Sequence, residues 1–161
     1  MLTPITAQIT YSVVTLDDLP AILDLRLIFA KEFSSAQSPE SIHQFRLSNK
    51  AYLEKAIPEG SFIAYLGRCG KDVVGIGAMV FREQPPNFLN LSGRVGYLFN
   101  MYTSPSFRRL GVCSQILKLL SDDASRMGVT SFELHATELG ELVYIKNGFR
   151  KHTEPTYRKQ L

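Results

Sequence analysis

The sequence predicts an α/β domain, with a mixed central sheet in the order βααβββαβαβ and helices on both faces. Three observations carry this. Segments rich in β-branched and aromatic residues are interleaved with segments whose apolar residues recur at helical spacing. Helix boundaries carry good capping residues and C-terminal glycines. Three strand-like segments follow two helical ones, and strand and helix then alternate to the end of the chain. The 161 residues suit one domain over 1–161, long enough to bury a core without disulfides or metals.

The elements follow in order. "QITYSVV" (8–14) is β-branched and aromatic and reads as a strand. Thr15 with Asp18 three residues on resembles a capping box, and Leu19, Ile22, Leu23, Leu25, Ile28 and Phe29 keep helical spacing behind it. Ser38 and Pro39 open a second helix, which should stop near Pro58-Glu59-Gly60. "SFIAYLGR" (61–68) and "KDVVGIGAMVF" (71–81) read as a hairpin turning at Cys69-Gly70. A loop over 83–93 precedes "RVGYLFNMYT" (94–103), an almost wholly apolar strand and so a central one. The helix after Gly111 has apolar positions at Val112, Ile116, Leu119, Leu120, Ala124 and Met127 and ends at Gly128. "TSFELHA" (130–136) is a strand, Thr137 and Gly148 bracket a last helix, and "FRKHTEPTYRKQ" reads as one or two short closing strands.

Composition narrows the function classes. A net charge of +3 is too small to argue for nucleic acid. The two cysteines, Cys69 and Cys113, form no CxxC pair or Cys/His cluster, so no metal site is expected and a reducing compartment fits. "MLTPITAQITYSVV" has no basic n-region, and no run approaches a membrane span, so a soluble cytoplasmic protein without a membrane partner is expected. The one sequon, Asn90-Leu91-Ser92, is read as ordinary loop chemistry. Gly75-Ile76-Gly77 lacks the third glycine of a dinucleotide fingerprint and lies inside a strand pattern, which points to a bulge or a close backbone approach. Neither a P-loop nor a nucleophile elbow occurs.

One stretch stands out. In "SPSFRRLGVCS" (104–114) Arg108 and Arg109 precede a helix start, where the helix dipole disfavours positive charge by about 0.3–1 kcal/mol. An anion there reverses the balance. Free backbone N–H groups at a helix start bind anions, a glycine lets a phosphate approach, and each charge-assisted hydrogen bond contributes roughly 1.5–3 kcal/mol. A second reading starts the helix at Ser104-Pro105, makes both arginines solvated helix residues, and buries Gly111 in a helix interior at a cost of about 1 kcal/mol.

"RRLGVC" (108–113) resembles the phosphate-binding signature [RQ]-x-x-G-x-[GA] of the GNAT superfamily of acyl-CoA-dependent N-acetyltransferases. The resemblance continues through "NMYTSPSFRRLGVCSQILKLL" and returns in "VYIKNGFRK", which is similar to that family's second motif, and it covers 94–151. It implies a GNAT-like domain with two middle strands splayed at the cofactor site, and acetyl-CoA as co-substrate without a metal. The amides of Arg109, Leu110, Gly111, Val112, Cys113 and Ser114 would cradle the CoA diphosphate, with Arg108 at the first signature position. Met101, Tyr102 and Thr103 would bond the pantetheine arm as an added strand would. Tyr144 matches the tyrosine near the thioester sulfur. A phenol with pKa about 10 can give a hydrogen bond or a proton to a thiolate whose acid has pKa about 8.5. A backbone N–H of the 94–103 strand would hold the oxyanion.

Two positions depart from the family pattern. Cys113 stands where Gly or Ala is usual; it either packs inward as a small hydrophobe or is a reactive thiolate at a helix start. Asn100 stands where many relatives carry a glutamate base, and an amide accepts no proton at neutral pH, so its role would be to orient a water or the acceptor. His135 is a base candidate, as imidazole ordinarily titrates near 6.5, and Glu133 shares its strand parity. Arg26, Phe29, Phe33 and the Pro85-Pro86 loop are candidates to line the acceptor site. The expected activity is acetyl transfer to a primary amine of a small molecule or peptide, with a homodimer compatible with the family. The alternatives are an acyl-CoA-binding sensor on the same fold and, more distantly, a nucleotide-binding domain.

Overall fold

Five strands hydrogen-bond in chain order to form one open sheet in the computed structural model, which describes residues 8–32 and 34–161. The strands are β1 (Ile9–Val13), β2 (Phe62–Cys69), β3 (Asp72–Glu83), β4 (Arg94–Thr103) and β5 (Ser131–Leu134). The first four pair antiparallel and β5 runs parallel to β4, so the sheet is mixed as expected. The helices are α1 (Leu19–Glu32), α2 (Pro39–Ala56), α3 (Val112–Arg126) and α4 (Glu138–Lys146).

Local chemistry accounts for the boundaries. Thr15 N donates to Asp18 Oδ2 at 3.0 Å, and this pair caps a short 3-10 turn that feeds α1. Ser38 Oγ accepts from Ser41 N at 3.1 Å with Pro39 in the first turn of α2. Beyond α3, Gly128 (φ +76°) lets Val129 N reach Ala124 O at 2.9 Å. Beyond α4, Gly148 (φ +88°) lets Phe149 N reach Tyr144 O at 3.0 Å. Both are helix stops that require a left-handed residue.

The two faces of the sheet bury separate cores. Leu19, Ile22 and Leu23 of α1 and Leu53 and Ala56 of α2 pack on Phe62, Ala64, Leu66, Ile76 and Ala78. On the opposite face, Val112, Ile116, Leu117, Leu120 and Ala124 of α3 pack with Met79 and Leu98, and α4 adds Val143 and Tyr144. The glycines of β3 set how closely α3 approaches. A Cβ on Gly77 would lie 2.5 Å from Ile116 Cγ2 and 2.6 Å from Met101 Sδ, and one on Gly75 would lie 2.5 Å from Val112 Cγ1. The close-approach reading of Gly75-Ile76-Gly77 therefore holds. Gly77→Val is expected to cost about 1–3 kcal/mol by overpacking, read as a fall of several degrees in Tm.

One expectation and one alternative reading need correction. The closing strands expected after Gly148 do not form, and residues 149–161 carry no strand. The segment is rich in charge and Pro155 interrupts it, so it has no alternating apolar set to bury. It crosses the end of β5 instead, with Arg158 Nη2 3.0 Å from His135 Nε2. Second, Ser104-Pro105 opens only a 3-10 turn over Pro105–Phe107, and α3 starts afresh after Gly111. Gly111 is therefore outside the helix, and the reading that buries it in a helix interior fails. Asn90, the sequon residue, is 5% exposed. Its amide donates to Arg94 O and accepts from Ser92 Oγ, as loop chemistry requires.

Candidate active site

β4 stays paired with β5 only from Val95 to Leu98, opposite Ser131 to Leu134. Beyond Leu98 the pairing ends, because β5 stops at Leu134, and the β4 residues Phe99 to Thr103 have no ladder on that side. The end of the pairing coincides with a bulge. Ile76 faces Tyr102 while Ala78 faces Phe99, so β4 holds one residue more than β3 across this stretch. Asn100 sits in the bulge at φ +51°. Asparagine is among the few side chains that take this conformation readily. That is a backbone reason for Asn at this position, which motif reading left as a departure.

Two buried polar atoms on this segment, Asn100 Nδ2 and Thr103 Oγ1, have no hydrogen-bond partner. Unpartnered buried polar atoms are uncommon, and a bound group or water can complete their bonding. Met101 packs on the α3 face and Tyr102 on the α1 face, so the segment lies between both cores.

The loop after β4 turns sharply into α3. Arg109 (φ +64°) and Gly111 (φ +82°) are both left-handed. No side chain caps α3, and its first turn holds no acidic residue, so its free N–H groups and partial positive charge stay uncompensated. Nothing lies within 4 Å of a Cβ built on Gly111. Arg108 folds back, its Nε donating to Thr103 O at 3.1 Å, which ties the loop to the end of β4. Leu110 is exposed while Val112 anchors the first turn in the core. Ser114 Oγ accepts from Asn147 Nδ2 at 3.0 Å, locking the start of α3 to the end of α4.

That lock brings Tyr144 to the first turn of α3. Its ring packs edge-on against Phe149, centroids 5.9 Å apart. The contact spans the helix stop at Gly148, so the "Y-x-x-x-G-F" spacing is itself that of a capped helix end. Among the described residues no hydrogen bond engages the Tyr144 hydroxyl. Burial, and secondarily the nearby Cys113, push this phenol up to about 12. Burial likewise pushes the Cys113 thiol up to about 11. Cys113 packs against the α3 core, and this burial disfavours the thiolate form. In a Cys69→Ser protein, Cys113 is expected to resist alkylation at about pH 7.5 until the chain is unfolded, because the reactive species is the thiolate.

Two cavities flank this region. The larger, about 620 Å³, lies between β5, α4 and the C-terminal segment and is lined in part by Glu133, His135 and Tyr144. The smaller, about 420 Å³, lies between α1, α2 and the sheet, and Arg26, Asn49, Tyr52, Arg82, Tyr97 and Phe99 line it. A hydrogen bond joins their linings, Tyr97 Oη to His135 Nδ1 at 2.7 Å. Arg158 can only donate to His135 Nε2, so this imidazole carries its hydrogen on Nδ1 and gives it to Tyr97.

Of the acceptor-site candidates, Arg26 lines the smaller cavity. Phe29 is half-buried on α1 and does not line it, the Pro85-Pro86 loop is exposed and apart from it, and Phe33 lies outside the described residues. Motif reading missed Tyr52, Arg82, Tyr97 and Phe99. Tyr97 and Phe99 share a parity on β4, a signal that would have grouped them. Nothing in the linear sequence joins them to Arg82 or Tyr52. Among the described residues no group of three or more His, Cys, Asp or Glu is arranged to hold a metal, and no helix is long and apolar enough to cross a membrane.

The family model described as "Acetyltransferase (GNAT) family" matches residues 22–143. No curated protein matches the chain by sequence. Among solved structures, the chain is similar to a predicted acetyltransferase with acetyl-CoA from Clostridium acetobutylicum, at 22% identity and TM-score 0.82, covering 94% of this chain and 96% of that one. It is similar to an aminoglycoside N-acetyltransferase in complex with CoA, at 18% identity and TM-score 0.73, covering 99% of this chain and 100% of that one. A third is glucosamine-6-phosphate N-acetyltransferase from Arabidopsis thaliana, at 13% identity and TM-score 0.69, with 94% and 98% covered.

Proposed function

Because this chain belongs to the GNAT family of acetyltransferases, we propose that it transfers an acetyl group from acetyl-CoA to a primary amine of a small molecule or peptide. The observation that carries this is the end of the β4–β5 pairing beside an uncapped, left-handed turn into α3. An unpaired strand edge suits the amide-bearing arm of the cofactor, and free N–H groups at the helix start suit its diphosphate. The amides of Arg109 to Ser114 take the diphosphate in this reading, and Met101 to Thr103 take the arm. The unpartnered Asn100 Nδ2 and Thr103 Oγ1 supply further bonding sites along the same edge.

Acetyl-CoA supplies an acyl thioester that a neutral amine attacks directly: the C–N bond forms, the C–S bond breaks, and the sulfur leaves with the electron pair. Two roles fall to the chain. A β4 amide at the bulge, within Phe99 to Met101, stabilises the developing oxyanion. Tyr144 donates a hydrogen bond to the leaving sulfur. A phenol near 12 does not readily surrender its proton to a thiolate whose acid has pKa about 8.5, so Tyr144 acts by donation with the proton retained.

The amine must also lose a proton. His135 is the base in this reading, acting through Tyr97. The relay needs the tautomer with hydrogen on Nε2, so that Nδ1 accepts from Tyr97, and this tautomer excludes the Arg158 contact. Arg158→Ala is therefore expected to hold or raise kcat/KM. A fall in kcat/KM with unchanged Tm would remove His135 from the proton path. Asn100, with its amide nitrogen free, is assigned to orienting the acceptor or a water.

The test of the whole reading is thiol release from acetyl-CoA over a panel of amines, alongside calorimetric titration with acetyl-CoA. Tight binding with amine-dependent release is expected. Binding without release above buffer would establish an acyl-CoA sensor instead, and absence of binding would overturn both.

A further inference from the structure

Two arginines face the 420 Å³ cavity, and no Asp or Glu lines it. Each guanidinium is held in place by neutral groups. Arg26 Nε donates to Asn49 Oδ1 at 2.6 Å, and Asn49 Nδ2 in turn donates to Phe45 O at 2.8 Å, which fixes the amide in that orientation. The Arg26 guanidinium carbon lies 5.6 Å from the centre of the Phe99 ring, and that of Arg82 lies 3.6 Å from the centre of the Tyr97 ring. Asn49 takes the Nε of Arg26, and among the described residues no hydrogen bond engages its two Nη groups or any N–H of Arg82, which leaves them for a planar, two-point acceptor.

Neither arginine forms an ion pair among the described residues. Others in this chain do: Arg46 with Asp24, Arg68 with Asp18, and Arg126 with Asp123. Arg26 is half-buried, and desolvation pushes its pKa below the usual guanidinium value. A partly buried cation without a counter-ion is unfavourable, and a second guanidinium lines the same cavity, so an anion arriving from outside would offset that cost.

The cavity also touches the reacting region. Phe99 lines it and directly follows Leu98, the last β4 residue paired with β5. An acceptor seated there would have one end at the bulge and the other at the arginines. The volume suits a metabolite the size of an amino acid or a small phosphorylated amine.

We propose that the acceptor is an amine carrying an anionic group, a carboxylate or a phosphate, and that Arg26 and Arg82 bind that group and set the specificity. The inference rests on the acetyl-transfer reading for the identity of the other end of the molecule. It excludes polycationic amines as preferred acceptors, because two fixed positive charges repel them.

The experiment uses matched pairs that differ only in the anion. Amino acids are compared with their carboxamides, phosphoethanolamine with ethanolamine, and spermidine serves as the polycation. Each is assayed for thiol release with acetyl-CoA and titrated by calorimetry into protein saturated with CoA. An anionic member is expected to exceed its neutral twin by about tenfold or more, the effect of one charge-assisted hydrogen bond. The pair that shows it separates carboxylate from phosphate. Arg82→Gln is expected to raise KM for that member by a similar factor with KM for acetyl-CoA unchanged. Arg82 is exposed, so this variant should fold. Arg26→Lys, which keeps the charge and loses the fork, should raise KM less than Arg26→Met.

Equal or better use of the neutral twins or of spermidine would overturn the proposal. If no amine releases thiol yet the CoA-saturated protein binds an anionic member over its twin, acetyl transfer falls while the anion site stands. If neither release nor binding favours the anionic members, the anion site falls whatever the turnover.

Discussion

Tyr144→Phe is expected to lower turnover by at least about tenfold, the effect of one transition-state hydrogen bond of about 1.4 kcal/mol or more, while acetyl-CoA affinity changes by less than about threefold. The substitution removes one hydroxyl and keeps the ring that packs against Phe149. Among the described residues that hydroxyl has no hydrogen-bond partner, so its loss leaves no buried group stranded and Tm should hold. With the phenol pushed up to about 12, the proton stays in place across the working pH range. An alkaline loss of activity below about pH 10 should therefore persist unchanged in the Phe variant, since an unperturbed phenol titrates near 10. Single-turnover rates and calorimetric affinity, measured on the same preparation, check both parts. Unchanged turnover would leave Tyr144 as packing alone.

Gly111→Asp should weaken acetyl-CoA binding by about a hundredfold or more, since a carboxylate within a few ångströms of a diphosphate is repelled by several kcal/mol even at an effective dielectric near 20. Gly111→Ala is the control. Its Cβ meets nothing within 4 Å, so the cost is confined to placing a side chain at φ +82°, about 1–2 kcal/mol. Both variants share that strain, and Asp also suits the N-terminal end of a helix dipole. Similar Tm values with widely different affinities are thus expected, read by thermal melts and calorimetry. Equal affinity in the two variants would mean that the diphosphate does not lie at this turn.

The proposed cofactor half of the site was legible in the sequence because it is local. Gly111, Arg108 and Arg109 lie within a few residues of one another, and the chemistry there is that of one loop and one helix start. Helix stops at Gly128 and Gly148 were legible for the same reason, as each needs only its own left-handed residue and the turn before it. The closing strands were not, because strand-like residues become a strand only where an apolar face is available to bury. Residues 149–161 have none, and β5 ends the sheet.

The proposed acceptor half was largely illegible. Arg26, Arg82 and Phe99 are far apart in sequence, on α1, β3 and β4, and only the packing of α1 and α2 over the sheet brings them to one cavity. Asn100 changed most in meaning. Read against the family pattern it was a missing base, whereas its φ of +51° marks a backbone position that few side chains tolerate.

By itself, then, the sequence determined the α/β class, the order of elements through α4, and the glycine turn that opens α3, all of which depend on neighbours within a few residues. Only the tertiary structure decided the bulge at Asn100, the inward packing of Cys113 and the pairing of two unneutralised arginines. Each of those depends on which surfaces meet, and that is a property of long-range burial that no local pattern encodes.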